Sequence, residues 1–329
     1  MQVTDSASKP PPTGEAAGLA GEKEAAVGGT ESRPPMAQSL PDPPLARATA
    51  LSRERFPIPP GKAFNRGSTF LRECLRLLVV RPVMSLPLAV AIVIQFALMV
   101  GLAWWAITRD EFRHPMADTL VGLAGTLISA TILYLMRGLW AALLSDFLHG
   151  VNPTLGRAVE AVLNGGSGLM GMALISTGLR FFGRSLGLTM VRAWEKGSFM
   201  AVPVVVLERR GLGDSLSRGQ FLSGTVLPIQ VSDIAVGDAA GALAFFLVVP
   251  YMVALYAFRD HWAFDYDLAL LLLLLLVALI AAAIALMALA ETAYSTCLYL
   301  WARDLERNPE APETRVPDPL VPALNAPAS

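Results

Sequence analysis

Few residues in this chain have the type and spacing for chemistry, and the most conspicuous of them stand inside an apolar run. Trp194-Glu195-Lys196 interrupts the stretch Leu186–Leu207, and Arg192 precedes Glu195 by three residues. On a helix, Arg192 and Glu195 are neighbours at i,i+3, whereas the adjacent Glu195 and Lys196 diverge by about 100°. If the run crosses a bilayer, both charges stand near its middle, at a cost of about 2.5–3.5 kcal/mol each on insertion scales. Charges so placed build ion or proton relays. In the alternative reading, Arg192, Glu195 and Lys196 form an interfacial turn, which avoids that cost but leaves Phe199–Leu207 too short to cross. Glu291, followed by Tyr294, Ser295 and Tyr299, carries the same pair of readings. It either lines a pathway or marks the membrane boundary beside an aromatic belt of Tyr299 and Trp301.

Other chemistries lack their residues. His114, His149 and His261 are far apart and show no metal-ligand spacing. None stands near a serine in an elbow pattern, so a nucleophile would lack its base. Asn164-Gly165-Gly166-Ser167-Gly168 has no lysine after it and no strand before it, so it is a turn rather than a phosphate loop. Asp233 and Asp238 are five residues apart and point to different faces of a helix. Cys74 and Cys297 are too few for a disulfide framework. The expectation is a protein that is not an enzyme and has no cofactor or bound metal.

The elements that position these residues follow from composition. The 329 residues are 54% hydrophobic and only 16% charged, with a mean hydropathy of +0.51. A soluble domain carries roughly 25% charged residues, so an ordinary soluble enzyme is excluded. Positive and negative side chains, 26 and 27, nearly cancel, which gives no reason to expect nucleic acid as a partner. Residues 1–65 hold 11 of the 24 prolines and no sustained apolar run. Such a segment cannot bury enough apolar surface to offset its ordering entropy. It reads as a disordered tail through which protein partners would bind, and its first 30 residues lack the apolar core of a secretory signal. Residues 306–329 read as a second tail.

Between the tails, at 66–305, the sequence predicts an all-α polytopic transmembrane helix bundle. Six runs approach the length of about 20 residues that a crossing helix needs: 86–107, 119–139, 162–182, 186–207, 234–257 and 268–290. None alternates with the period of a membrane barrel strand. Lys62, Arg66, Arg72, Arg76 and Arg81 gather before the first run, opposed only by Glu73, which places the N-terminus in the cytoplasm. Six crossings then place the C-terminus there too. Asn152-Pro153 is expected to cap a short surface helix at 153–163, and 214–223 to form a second one. Small residues at packing spacing, such as Gly125 with Ser129 and Ala281 with Ala285, predict close helix approaches.

One stretch carries a family resemblance. Phe199-Met200-Ala201-Val202 precedes Pro203, then come Val204 to Leu207, Glu208, and six residues on Asp214, with Leu216 and Arg218. This pattern resembles the bacterial integral-membrane family called domain of unknown function 6159, and is more distantly similar to the membrane domain found beside glycerophosphodiester phosphodiesterases. Pro87, Gly150-Val151-Asn152-Pro153-Thr154 with Arg157, Trp194 and Leu298-Tyr299 add to the match, which covers about residues 68–305. Glu195 and Lys196 depart from it. The resemblance implies a six-helix protein of a bacterial cytoplasmic membrane with no established activity. Within the motif, Pro203 frees a backbone carbonyl, while Glu208 ends a span and caps it or pairs with Arg218. These residues form either a structural corner or a substrate site. Two functions are expected on these grounds. The first is a non-enzymatic scaffold or accessory component of the bilayer; the second is a transporter or channel using Arg192, Glu195, Lys196 and Glu291.

Overall fold

The structure, a computed structural model, describes residues 60–108, 115–186, 190, 194, 197–227, 235–257, 266–307 and 316–325. All lie in the second of two compact units, which begins at Asp42. The described residues are helical, with no strand among them. In chain order the helices are α1 (Pro60–Val80), α2 (Pro82–Thr108), α3 (Pro115–Leu148), α4 (Leu155–Asn164), α5 (Gly166–Leu186), α6 (Ala201–Glu208), α7 (Leu212–Phe221), α8 (Val236–Ala257), α9 (Tyr266–Arg307) and α10 (Leu320–Asn325). A single π turn, Leu222–Val226, extends α7.

Four of these helices, α2, α3, α8 and α9, are long and apolar enough to cross a membrane, and in each less than a quarter of the most apolar stretch is buried within the protein. Apolar side chains left uncovered by protein along a whole helix belong to a lipid-facing surface. Helix α9 lies against α2, α3 and α8, and its alanines Ala281, Ala283, Ala285 and Ala288 are buried at those contacts. Polar side chains add fixed points. Gln95 Nε2 donates to the Ser129 carbonyl at 3.1 Å, while Ser129 Oγ donates to Gln95 Oε1 at 2.7 Å. Tyr251 Oη donates to the Leu272 carbonyl at 2.8 Å. Close approach is evident at Gly125, where a Cβ would stand 2.8 Å from Leu102 Cδ1.

A second layer is built around one end of these helices. Phe70 and Cys74 of α1, Trp140 and Leu144 of α3, Val204 of α6, and Tyr294, Leu298 and Tyr299 of α9 form one buried cluster. Ala142 and Leu143 of α3, Val162 of α4, Leu169 and Met172 of α5, and Val202, Val205 and Val206 of α6 form another. Trp140 anchors the layer to α2, its Nε1 donating to the Met84 carbonyl at 2.7 Å. Helix α1 crosses the start of α8 so closely that a Cβ on Gly67 would meet the Ala235 carbonyl oxygen at 2.4 Å.

The structure revises several expectations. Among the described residues four helices qualify as spans, or five if α4 and α5, bent by 67° at Gly165, count as one. The run expected to be a fourth span, 186–207, is not one long helix: its last part is the eight-residue α6, about 12 Å long. Ala201 through Val206 are buried by α3, α4, α5, α7 and α9. That sequence is apolar because it is core. The reading of 306–329 as a tail is corrected as well. Helix α9 runs to Arg307, and α10 lies against α1 with Leu320 and Ala323 fully buried. Its apolar residues are too few for a local signal, and find their cover only in the folded protein. The chain is also helical from Pro60, and Ala63 is already buried, so residues 60–65 belong to a packed helix. Helix α4 starts at Leu155 with Thr154 at its N-cap, two residues beyond the expected cap. The reverse turn before it places Gly150 at φ 71°, a conformation suited to glycine.

Candidate functional site

Two groups of polar side chains stand inside this apolar framework. The first joins α6, α7 and α9. Helix α6 ends on Glu208, whose side chain is only 15% exposed. Arg218, one turn from the end of α7, donates Nε to Glu208 Oε1 at 3.4 Å and Nη1 to Glu306 Oε1 at 2.8 Å. Its Nη2 reaches Glu306 Oε2, so the guanidinium grips that carboxylate with both prongs. Tyr299 Oη donates to Glu208 Oε1 at 2.9 Å, and Arg210 Nε approaches Glu208 Oε2 at 2.6 Å. The hydrogen bonds to Glu306 raise the affinity of Arg218 for its proton above the usual guanidinium value, against the opposing effect of burial. Two arginines and two glutamates balance, which lets the cluster sit partly out of water. Arg209 between them adopts φ 55°, the left-handed turn that ends α6.

The second group lies where α3 and α9 cross. Arg137 Nη2 donates to Glu291 Oε2 at 2.5 Å, with the two side chains 24% and 41% exposed. The Arg137 guanidinium also lies over the Tyr134 ring, 5.5 Å from its centroid. Beside the pair opens a cavity of about 350 Å³, which Arg180, Trp194, Ser176, Ser198 and Phe199 help to line. Arg180 makes no ion pair or hydrogen bond among the described residues. Arg137 Nε and Trp194 Nε1 are buried without a hydrogen-bond partner there. Among the described residues the lining is therefore richer in charged and ring N–H donors than in carboxylates, and it suits a negatively charged group. No three His, Cys, Asp or Glu side chains among the described residues could hold a metal ion.

The residues singled out from sequence separate into three sets. Glu208 and Arg218 are brought together, and Pro203 stands with them on α6. As the third residue of that helix, Pro203 occupies a turn whose N–H groups have no intrahelical acceptor, so its missing donor interrupts no ladder. It opens a helix and does not kink a span. Glu291 is paired with Arg137, and the aromatic belt proposed beside it is corrected: Tyr299 is fully buried and bonded to Glu208. Arg192, Glu195 and Lys196 lie outside the described residues. Sequence reasoning missed Glu306, 88 residues from its partner and without a local signal, and Arg180, a charge inside the apolar run 162–182. Arg137 had one: it is a charge inside an apolar helix, which ordinarily means a partner or water.

The chain matches no protein-family model, and neither a curated protein nor a solved structure is found to be similar to it.

Proposed function

We propose that this protein is a non-enzymatic component of a bacterial cytoplasmic membrane, a four-span anchor that carries a helical platform on its inner face. The observation behind this reading is the change along α9, lipid-facing at Leu270, Leu271 and Leu273 but enclosed by other helices from Thr292 to Leu300. Four crossings by α2, α3, α8 and α9 return both termini to the cytoplasm. They also sharpen the charge bias: only Arg109, Arg113 and Arg259 then fall outside, and every other Lys and Arg of residues 60–307 falls inside. Exposed Met170, Leu174, Phe181 and Phe182 along α5 suit a helix lying at the lipid interface. The likeness of Phe199–Arg218 to domain of unknown function 6159 supports the same membrane, although that family implies six helices.

The platform and the proline-rich segment before it would serve to recruit protein partners. Removing residues 1–59 should then abolish co-purification of those partners from membranes while the bundle stays folded. Failure of the full chain and the shortened one alike to retain a partner would refute the scaffold reading. The cavity beside Arg137 and Glu291 favours a second reading, a carrier for an ion. In liposomes, Glu291→Gln, or Glu195→Ala with Lys196→Ala, would abolish ion flux in a carrier and leave a scaffold unaffected.

A further inference from the structure

We propose that the cavity beside the Arg137–Glu291 pair binds the phosphate group of an anionic phospholipid. The charge balance sets the sign of the occupant. Glu291 is the only carboxylate lining the cavity among the described residues, and Arg137 neutralises it, so among those residues the Arg180 guanidinium has no counter-charge. The donors set the chemistry. Arg137 Nε and Trp194 Nε1 are buried N–H groups with no partner among the described residues, an unfavourable state that an acceptor in the cavity would relieve. Guanidinium groups match the oxygens of a phosphate in charge and geometry.

Depth selects the source of the phosphate. The apolar part of α9, from Leu268 to Ala290, ends immediately before Glu291, and at 1.5 Å per residue it is about 35 Å long. A bilayer's hydrocarbon core is about 30 Å thick, so the cavity stands at headgroup level, where phosphodiesters are concentrated. Its volume of about 350 Å³ is at the lower end of ligand sites; it admits a headgroup and leaves the acyl chains in the bilayer. This assignment goes beyond the scaffold reading and holds whether or not the protein recruits a partner.

Native mass spectrometry of the full chain in a neutral detergent tests it, with dioleoyl phosphatidylglycerol, dioleoyl phosphatidylcholine and inorganic phosphate as probes. Phosphatidylglycerol should be retained in preference to phosphatidylcholine. Arg180→Gln should weaken that retention about tenfold, the effect of losing one charge-assisted hydrogen bond. Trp194→Phe, which keeps the ring and removes the N–H, should weaken it less, and Arg72→Gln, on the exposed face of α1, should change nothing. Equal retention of phosphatidylglycerol by the Arg180→Gln and unsubstituted proteins would overturn the site. Displacement of the lipid by millimolar inorganic phosphate would overturn the lipid as its source.

Discussion

Both ends of α9 carry leucines, and the two sets have opposite surroundings. Near its start, Leu271 is 63% exposed and Leu273 52%, whereas Leu298 and Tyr299 near its end are fully enclosed by protein. Hydrophobicity therefore does two jobs in one helix. In the first half it matches the protein to lipid, which neither gains nor loses much by touching a leucine. In the second half it removes side chains from water and packs them against α1, α3 and α6, where volume and fit matter.

The widest separation between the halves should come from paired truncations. Leu298→Ala opens a cavity in the platform core and should cost about 2–5 kcal/mol, whereas Leu271→Ala should cost less than about 0.5 kcal/mol. Thermal unfolding in detergent measures both, and equal losses would break the distinction. Next in size is Arg218→Gln. It leaves Glu208 and Glu306 without their shared cation, and a loss of about 2–3 kcal/mol is expected, discounted from a fully buried pair because Glu306 is 34% exposed. Polar pairing in the spans should matter less. Gln95→Leu removes the link between α2 and α3 at about 0.6 kcal/mol, the usual size of such bonds in a membrane. The last effect has the opposite sign. Arg209→Gly relieves the left-handed backbone at the end of α6, and a gain of at most about 1 kcal/mol should appear as a slightly higher unfolding temperature.

How much of this was legible beforehand depends on the same two roles of hydrophobicity. The spans α2, α3, α8 and α9 are visible as runs because the bilayer demands about 20 apolar residues in succession. Helix α6 misleads for that reason: Ala201–Val206 is as apolar as a span, and only its burial by α3, α4, α5, α7 and α9 distinguishes core from membrane. The Glu208–Arg218 pair is legible, since the two residues are ten apart on consecutive short helices. Glu306 and Tyr299 complete that cluster from about 90 residues away, and nothing local ties either of them to Glu208 or Arg218. Glu291 stands out in the sequence as a charge at the end of an apolar run, but its partner Arg137 is 154 residues distant, and only the packing of α3 against α9 joins them. Leu320 and Ala323 illustrate the same limit, because a six-residue helix gains its stability from the surface it covers.

The central claim is that α2, α3, α8 and α9 cross the membrane and that residues 155–227 stay on one side of it. A single-cysteine labelling experiment tests this directly. Cys74 and Cys297 are fully buried, and burial pushes the Cys74 thiol well above its usual pKa, so the native thiols should not react with an impermeant maleimide. Cysteines are introduced singly at Ser185, Gly211 and His261, and labelled in intact cells and in inverted membrane vesicles. Four crossings predict that Ser185→Cys and Gly211→Cys react only in inverted vesicles and His261→Cys only in intact cells. Labelling of Ser185→Cys in intact cells, together with His261→Cys, would restore six crossings and contradict the account.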